Sequence, residues 1–261
     1  MKIKEVVAAL ERFAPLPLQE SYDNAGLQIG LTEGEKVSGV LLCLDVTEEV
    51  VREAAARGCN LVVAHHPLLF RPLRHLWEAT SVERSVSLAL RLGVAVYAAH
   101  TNLDNAPGGV NFMMAERLGL RNVGFLQPFP DGKPGGSGAV GELPAPMSEA
   151  ATLCLIAKTF GAPHLRYAPG PHAEISKIAF CGGAGDFLID RAAELGAQLF
   201  FTGEVGYHRF FGYENRMCIA EIGHYESEQF TVQLLERILR DASAALRVEI
   251  YERGTNPVKT L

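Results

Sequence analysis

The apolar positions of the chain fall into short blocks with two different periods. IKEVVAALERF at 3–13 has the spacing of an amphipathic helix and is stopped by Pro15 and Pro17. A turn-rich stretch from Glu20 leads into residues 27–30. VSGVLLCLD at 37–45 is almost continuously apolar, as a strand buried on both faces must be. Thr47 then caps a helix that carries Glu48 and Glu49 in its first turn, where the helix dipole favours them, and Gly58 closes it. LVVA at 61–64 is the next strand. Together these make a β-α-β unit, which implies a parallel sheet with a right-handed crossover. A helix at 81–92 ending at Gly93, and a strand at 94–99, repeat the unit. Pro107-Gly108-Gly109 opens a further helix to Leu118.

Between Val123 and Gly138 the composition changes: QPFPDGKPGGSG predicts a loop or linker. Strands are expected at 138–143, 175–181, 198–201, 217–222 and 246–252. Helices are expected at 148–160 and 186–195, with one long helix from 224 to about 244. The pattern predicts an α/β fold of two related lobes with mostly parallel sheets. The first lobe covers 1–124, with 223–261 packing back onto it, and the second covers 125–222.

Composition narrows the class of protein. Of the 261 residues 48% are hydrophobic and 21% charged, the usual balance for a globular chain. No run approaches the roughly 18 apolar residues that a membrane span needs. The first helix carries Glu5, Glu11 and Arg12 where a signal peptide needs an apolar centre. A net charge of −6 argues against a nucleic-acid surface, which needs a basic patch. Five cysteines show no CxxC pairing, and Cys43, Cys154, Cys181 and Cys218 lie in apolar runs. Buried free thiols in a reducing cytoplasm are the expectation.

The candidate chemistry collects at strand ends. His65 and His66 follow the 61–64 strand, with Pro67 after them; His100 and Asp104 follow the 94–99 strand. In a parallel sheet these ends share one edge, where α/β ligand sites form. Capping or surface histidines are the alternative for HHP alone. His224 and Glu228 stand four apart at a helix start, one turn above each other. Imidazole and carboxylate donors without cysteine suit Zn, Fe, Mn, Co or Ni. Their number exceeds one closed tetrahedral site and fits two metals. Two other features read as structural: Asp23 and Asn24 as turn formers, with an outer role toward a metal ligand as the alternative, and Gly182-Gly183-Ala184-Gly185 as a tight strand-to-helix turn in preference to a phosphate cradle.

HHP at 65–67, HTNLDNAPGGVN at 100–111 and GHYESE at 223–228 resemble the signature segments of the Ngg-one-interacting factor three-like family. Its members are often described as GTP cyclohydrolase 1 type 2 homologues or dinuclear metal centre proteins. YDNAGLQIG at 22–30 and TGEVGYH at 202–208 resemble two further segments, in the same order along the chain. The resemblance implies two divalent metal ions per chain, held by His65, His66, Asp104, His224 and Glu228. It implies that His100, Glu204 and His208 line the site, where their residue types suit proton transfer. It also implies a toroidal homohexamer. The expected function is metal-dependent hydrolysis of a nucleotide-like small molecule, and the competing expectation is a non-enzymatic metal-binding regulatory or scaffold protein.

Overall fold

A computed structural model describes residues 1–30 and 35–259. In chain order they form α1 (Ile3–Phe13), β1 (Gly26–Ile29), β2 (Val40–Cys43), α2 (Glu48–Ala56), β3 (Leu61–Ala64), α3 (Ser81–Leu92), β4 (Ala95–Ala98), α4 (Thr101–Asp104) and α5 (Val110–Leu118). Then follow β5 (Arg121–Pro128), β6 (Gly136–Ser148), α6 (Glu149–Phe160), β7 (Arg166–Ala168), β8 (Glu174–Cys181), α7 (Ile189–Glu194), β9 (Leu199–Thr202), β10 (Cys218–Glu221), α8 (His224–Glu228), α9 (Thr231–Ala242) and β11 (Val248–Ile250). The architecture is mixed α/β with two sheets. None of the described helices is long and apolar enough to cross a membrane.

The chain divides into two units, Met1–Leu103 with Phe230–Lys259, and Asp104–Gln229. The sequence pattern places the divisions later at 124/125 and earlier at 222/223. The reason is packing: α5 lies against β5, β6 and α6, and Ser227 of α8 accepts a hydrogen bond from the Gly183 N–H. Both segments therefore go with the second unit. The expected long helix at 224–244 is two helices, α8 and α9, and the chain leaves the second unit at the break between them.

The first unit holds a five-stranded sheet in the order β1-β4-β3-β2-β11. β4, β3, β2 and β11 run parallel, and β1 pairs antiparallel with β4 at the edge. Every residue of β2, β3 and β4 is buried, which is why these strands read as unbroken apolar runs. Thr47 and Thr80 cap α2 and α3 by accepting from the Val50 and Glu83 N–H groups, and Gly93 ends α3 in the left-handed conformation. The C-terminal segment does return: β11 pairs with β2, and α9 packs on α1. This sheet sets β3 and β4 side by side, so their polar C-terminal extensions emerge at one edge.

The second unit holds a six-stranded sheet in the order β5-β6-β8-β9-β10-β7. Only β8, β9 and β10 pair in parallel; β5/β6, β6/β8 and β10/β7 are antiparallel. The stretch expected as a linker is mostly strand, because β5 and β6 form a hairpin across it. Its glycines serve close approach: a Cβ on Gly136 would stand 2.5 Å from the Gln127 carbonyl oxygen, and one on Gly138 would stand 2.8 Å from the Phe180 carbonyl. A glycine-rich run is compatible with a strand when neighbouring backbones leave no room for side chains. All five cysteines are free; Cys154 is exposed, because it sits on the outward side of α6, and the other four are buried.

Candidate metal centre

In the first unit the backbone ladder continues past β3: the His65 N–H donates to the Cys43 carbonyl and the His66 N–H to the Leu44 carbonyl. Two imidazoles are thereby delivered to the sheet edge in sequence. His65 is fully buried and His66 partly so, with ring centroids 4.9 Å apart. His100 follows β4, and its ring lies 5.3 Å from that of His65 and 5.5 Å from that of His66. One nitrogen of each of the three rings lies within 4.8 Å of those of the other two. Asn102 holds the turn after β4 in place, accepting from the His100 N–H and donating to the Ala14 carbonyl.

The three rings are oriented alike. Nδ1 of His65 bonds the Ala99 carbonyl at 2.8 Å, Nδ1 of His66 bonds Asp45 Oδ1 at 2.7 Å, and Nδ1 of His100 bonds Asp23 Oδ1 at 2.7 Å. Each partner is an acceptor only, so each Nδ1 must be the N–H donor. Neutral rings then carry their lone pair on Nε2. That is the tautomer and the outer-partner arrangement of metal-ligating histidine. A capping histidine has no need of it.

The two carboxylates are correspondingly perturbed. Burial works to raise the pKa of Asp23, but hydrogen bonds from His100 and Thr101, the His100 charge and the Asn24 N–H prevail and hold it at about 2. Asp45 is lowered in the same way: burial opposes, and hydrogen bonds from His66 and Thr255 win. Asp23 thus takes the outer role toward a histidine, more than the turn role that composition favoured. Its carboxylate is fully buried, which a surface turn would not require. Asp45 carried no signal of its own beyond its place at the end of a strand on the same edge as His65.

In the second unit, His224 and Glu228 occupy one face of α8. His224 Nδ1 bonds Glu204 Oε1 at 2.8 Å, and its Nε2 stands 3.1 Å from Glu228 Oε2. Glu228 is 4% exposed. A doubly protonated ring would bond both carboxylates; with the ring proton on Nδ1 alone, a lone pair faces a nearly buried carboxylate, and a cation between them would satisfy both. Two donors at about 2.0–2.2 Å from one divalent ion are separated by about 3 Å when they are neighbours in its shell. The observed pair has that separation. The residues present therefore fit a divalent metal.

The glycine turn after β8 makes room for this carboxylate. Gly183 has φ +62°, and a Cβ there would lie 2.4 Å from Glu228 Oε1. A Cβ on Gly203 would lie 2.6 Å from the Gly183 carbonyl oxygen and 2.8 Å from His224 Cα. The N–H groups of Gly182, Gly183 and Gly185 donate to Asn111, Ser227 and Thr202. Those amides are committed to the protein, which supports the tight-turn reading over a phosphate cradle.

The remaining expected residues are placed as follows. Asp104 ends α4, half-buried, and its carbonyl accepts from Asn111 Nδ2. Glu204 orients His224. His208 is exposed on a short helical turn, its ring 5.2 Å from Tyr207 and 6.3 Å from Phe211. The buried cysteines are no competitors as ligands, since burial and then the charge of Asp45 push the Cys43 thiol pKa up.

Known proteins match the chain over most or all of its length. A protein of Clostridium perfringens named "GTP cyclohydrolase 1 type 2 homolog" is 36% identical over 229 residues, 87% of each chain. "NIF3-like protein 1" of Drosophila melanogaster is 31% identical, across 100% of this chain and 89% of that one. The crystal structure of Staphylococcus aureus protein SA1388 superposes with a TM-score of 0.89 at 26% identity, covering 100% of this chain and 99% of that one. The family model for Duf34/NIF3 (NGG1p interacting factor 3) matches residues 1–257, a span that includes every imidazole and carboxylate described above, and the chain belongs to that family.

Proposed function

We propose that this chain is a dinuclear metal-dependent hydrolase acting on a nucleotide-like small molecule, with His65, His66, Asp104, His224 and Glu228 holding two divalent ions. The observation that carries the reading is the shared orientation of four imidazoles, each with Nδ1 bonded to an oxygen acceptor. Zn, Fe, Mn, Co and Ni all accept such a donor set. When bound, a pair of such ions supplies an activated water and a Lewis acid.

The chain's own groups do the rest. His100, backed by Asp23, holds or accepts a proton at Nε2, and His208 offers a solvent-exposed imidazole for the same task. Glu204, bonded to His224 Nδ1, is the third proton-carrying group of the proposal and keeps that ring aligned. Tyr22 and Phe70, 63% and 42% exposed with ring centroids 6.5 Å apart, offer a surface for a planar base, and Phe70 lies 6.2 Å from the His100 ring. The names of bacterial relatives point to GTP as the first substrate to test. Metal-loaded protein is expected to release formate from GTP or to turn over another nucleotide, phosphoester or cyclic amide; a screen of these with no turnover sinks the hydrolase reading.

A second reading has an observation of its own. The family description and the Drosophila relative's name refer to an interacting factor, not a reaction. On that reading the chain is a metal-binding regulatory or scaffold protein, and metal binding persists without turnover. On either reading we propose a cytoplasmic protein, in keeping with its free cysteines, assembled as a toroidal homohexamer. Light scattering should give six times the chain mass, and a monomer throughout the micromolar range rejects the assembly.

A further inference from the structure

We propose that Thr255, on the tail after β11, is a positioning residue for the metal centre: its hydroxyl fixes Asp45, and Asp45 fixes His66. Thr255 Oγ1 donates to Asp45 Oδ2 at 2.5 Å while Asp45 Oδ1 accepts from His66 Nδ1 at 2.7 Å. A carboxylate held through one oxygen swings about its last torsion, which is broad and soft. A second bond on the other oxygen fixes the plane of the group. The direction of His66 Nδ1–H, and with it the aim of Nε2, follows.

The same device occurs a second time with different support. Asp23 Oδ1 accepts from His100 Nδ1, and Asp23 Oδ2 accepts from the Thr101 hydroxyl at 2.5 Å. Asp23, however, also accepts the backbone N–H groups of Asn24 and Thr101, and its side chain is wholly buried. Asp45 has neither advantage. Its side chain is 38% exposed, and among the described residues its hydrogen bonds come from His66 and Thr255 alone. Water competes for Asp45, and the threonine on the tail is what keeps it in register. Removing the Thr255 hydroxyl should therefore cost more than removing that of Thr101.

The tail does not depend on this bond for its own place. The Tyr251 N–H donates to the Leu42 carbonyl, Tyr251 is buried, and Arg253 pairs with Glu53 and lies over the Tyr251 ring. Thr255→Val keeps the shape and removes only the hydroxyl.

The inference rests on the reading of His66 as a metal ligand. The test measures Zn(II) affinity by chelator competition in the wild type, Thr255→Val, Thr255→Ser and Thr101→Val. It also follows the His66 imidazole N–H resonance by NMR in the metal-free proteins. Thr255→Val should bind zinc about 10-fold more weakly, the size of an outer-partner loss. Thr255→Ser should restore affinity, and Thr101→Val should lose less. The His66 Nδ1–H signal should exchange with water faster in Thr255→Val alone. Wild-type affinity and an unchanged resonance in Thr255→Val overturn the proposal, as does an affinity loss that serine does not restore but that tracks a lowered melting temperature. A wild type that binds no zinc instead overturns the ligand reading, and this inference with it.

Discussion

Glu228→Gln is expected to lower metal affinity by at least about 10²-fold, above the range seen for outer partners because the carboxylate itself is the proposed ligand. Glu228 is nearly buried, with Oε2 3.1 Å from His224 Nε2 and its other oxygen against the Gly183 turn. Glutamine fills the same space and removes the charge. Asp104 is then the one carboxylate left among the proposed ligands, and more of the cations' charge goes uncompensated. Losing a buried charge does not threaten the metal-free fold, so the metal-free variant should melt no lower than the metal-free wild type. Asp104→Asn is expected to act in the same direction. Retention of the wild-type metal content by Glu228→Gln, after dialysis against a chelator of moderate strength, counts against its assignment as a ligand.

His66→Ala carries the second large effect. If His65 and His66 serve different ions, losing either ring breaks the two-ion arrangement, and turnover should fall on the order of 10²-fold or more. The other histidines supply the controls. His75 stacks on Trp77, His172 bonds the Arg216 carbonyl through Nε2, and His164 is exposed. Their alanine variants should keep turnover close to wild type. A folded His66→Ala protein that turns over substrate at full rate removes the two-ion mechanism. Loss in the His75, His164 and His172 variants as well would trace the effect to stability and not to the site.

The legible part of this molecule was the part written in unbroken patterns. β2, β3 and β4 are buried on both faces, so their sequences are apolar throughout and their polar ends stand out as His65-His66 and His100. The helix cap at Thr47 was equally visible, because it is a short polar residue just before a periodic run. The β5/β6 hairpin was not. Its prolines and glycines match a linker in composition, and only the approach of Gln127 and Phe180 explains the glycines at 136 and 138. The break between α8 and α9 was also silent, since Gln229 and Phe230 carry no stop signal.

The site was legible to the same uneven degree. Imidazoles at strand ends are rare enough to draw notice, whereas the groups that aim them are ordinary. Asp23 sits in a stretch that reads as a turn, Asp45 stands two residues past the end of β2, and Thr255 lies in the tail beyond the last strand. Each acts through a partner far away in sequence, Asp23 on His100, Asp45 on His66 and Thr255 on Asp45. No local pattern records such a pairing. Gly183 was noticed for its turn, and its relation to Glu228 emerges only once a Cβ is placed there.

The claim beneath all of these expectations is that the chain binds divalent metal through its histidines and carboxylates. Elemental analysis of purified wild-type protein, stripped and then reloaded with Zn(II) or Mn(II) and freed of excess ion, tests it most directly. Up to two ions per chain are expected, fewer in Glu228→Gln and Asp104→Asn. A wild type that neither retains nor rebinds metal contradicts it.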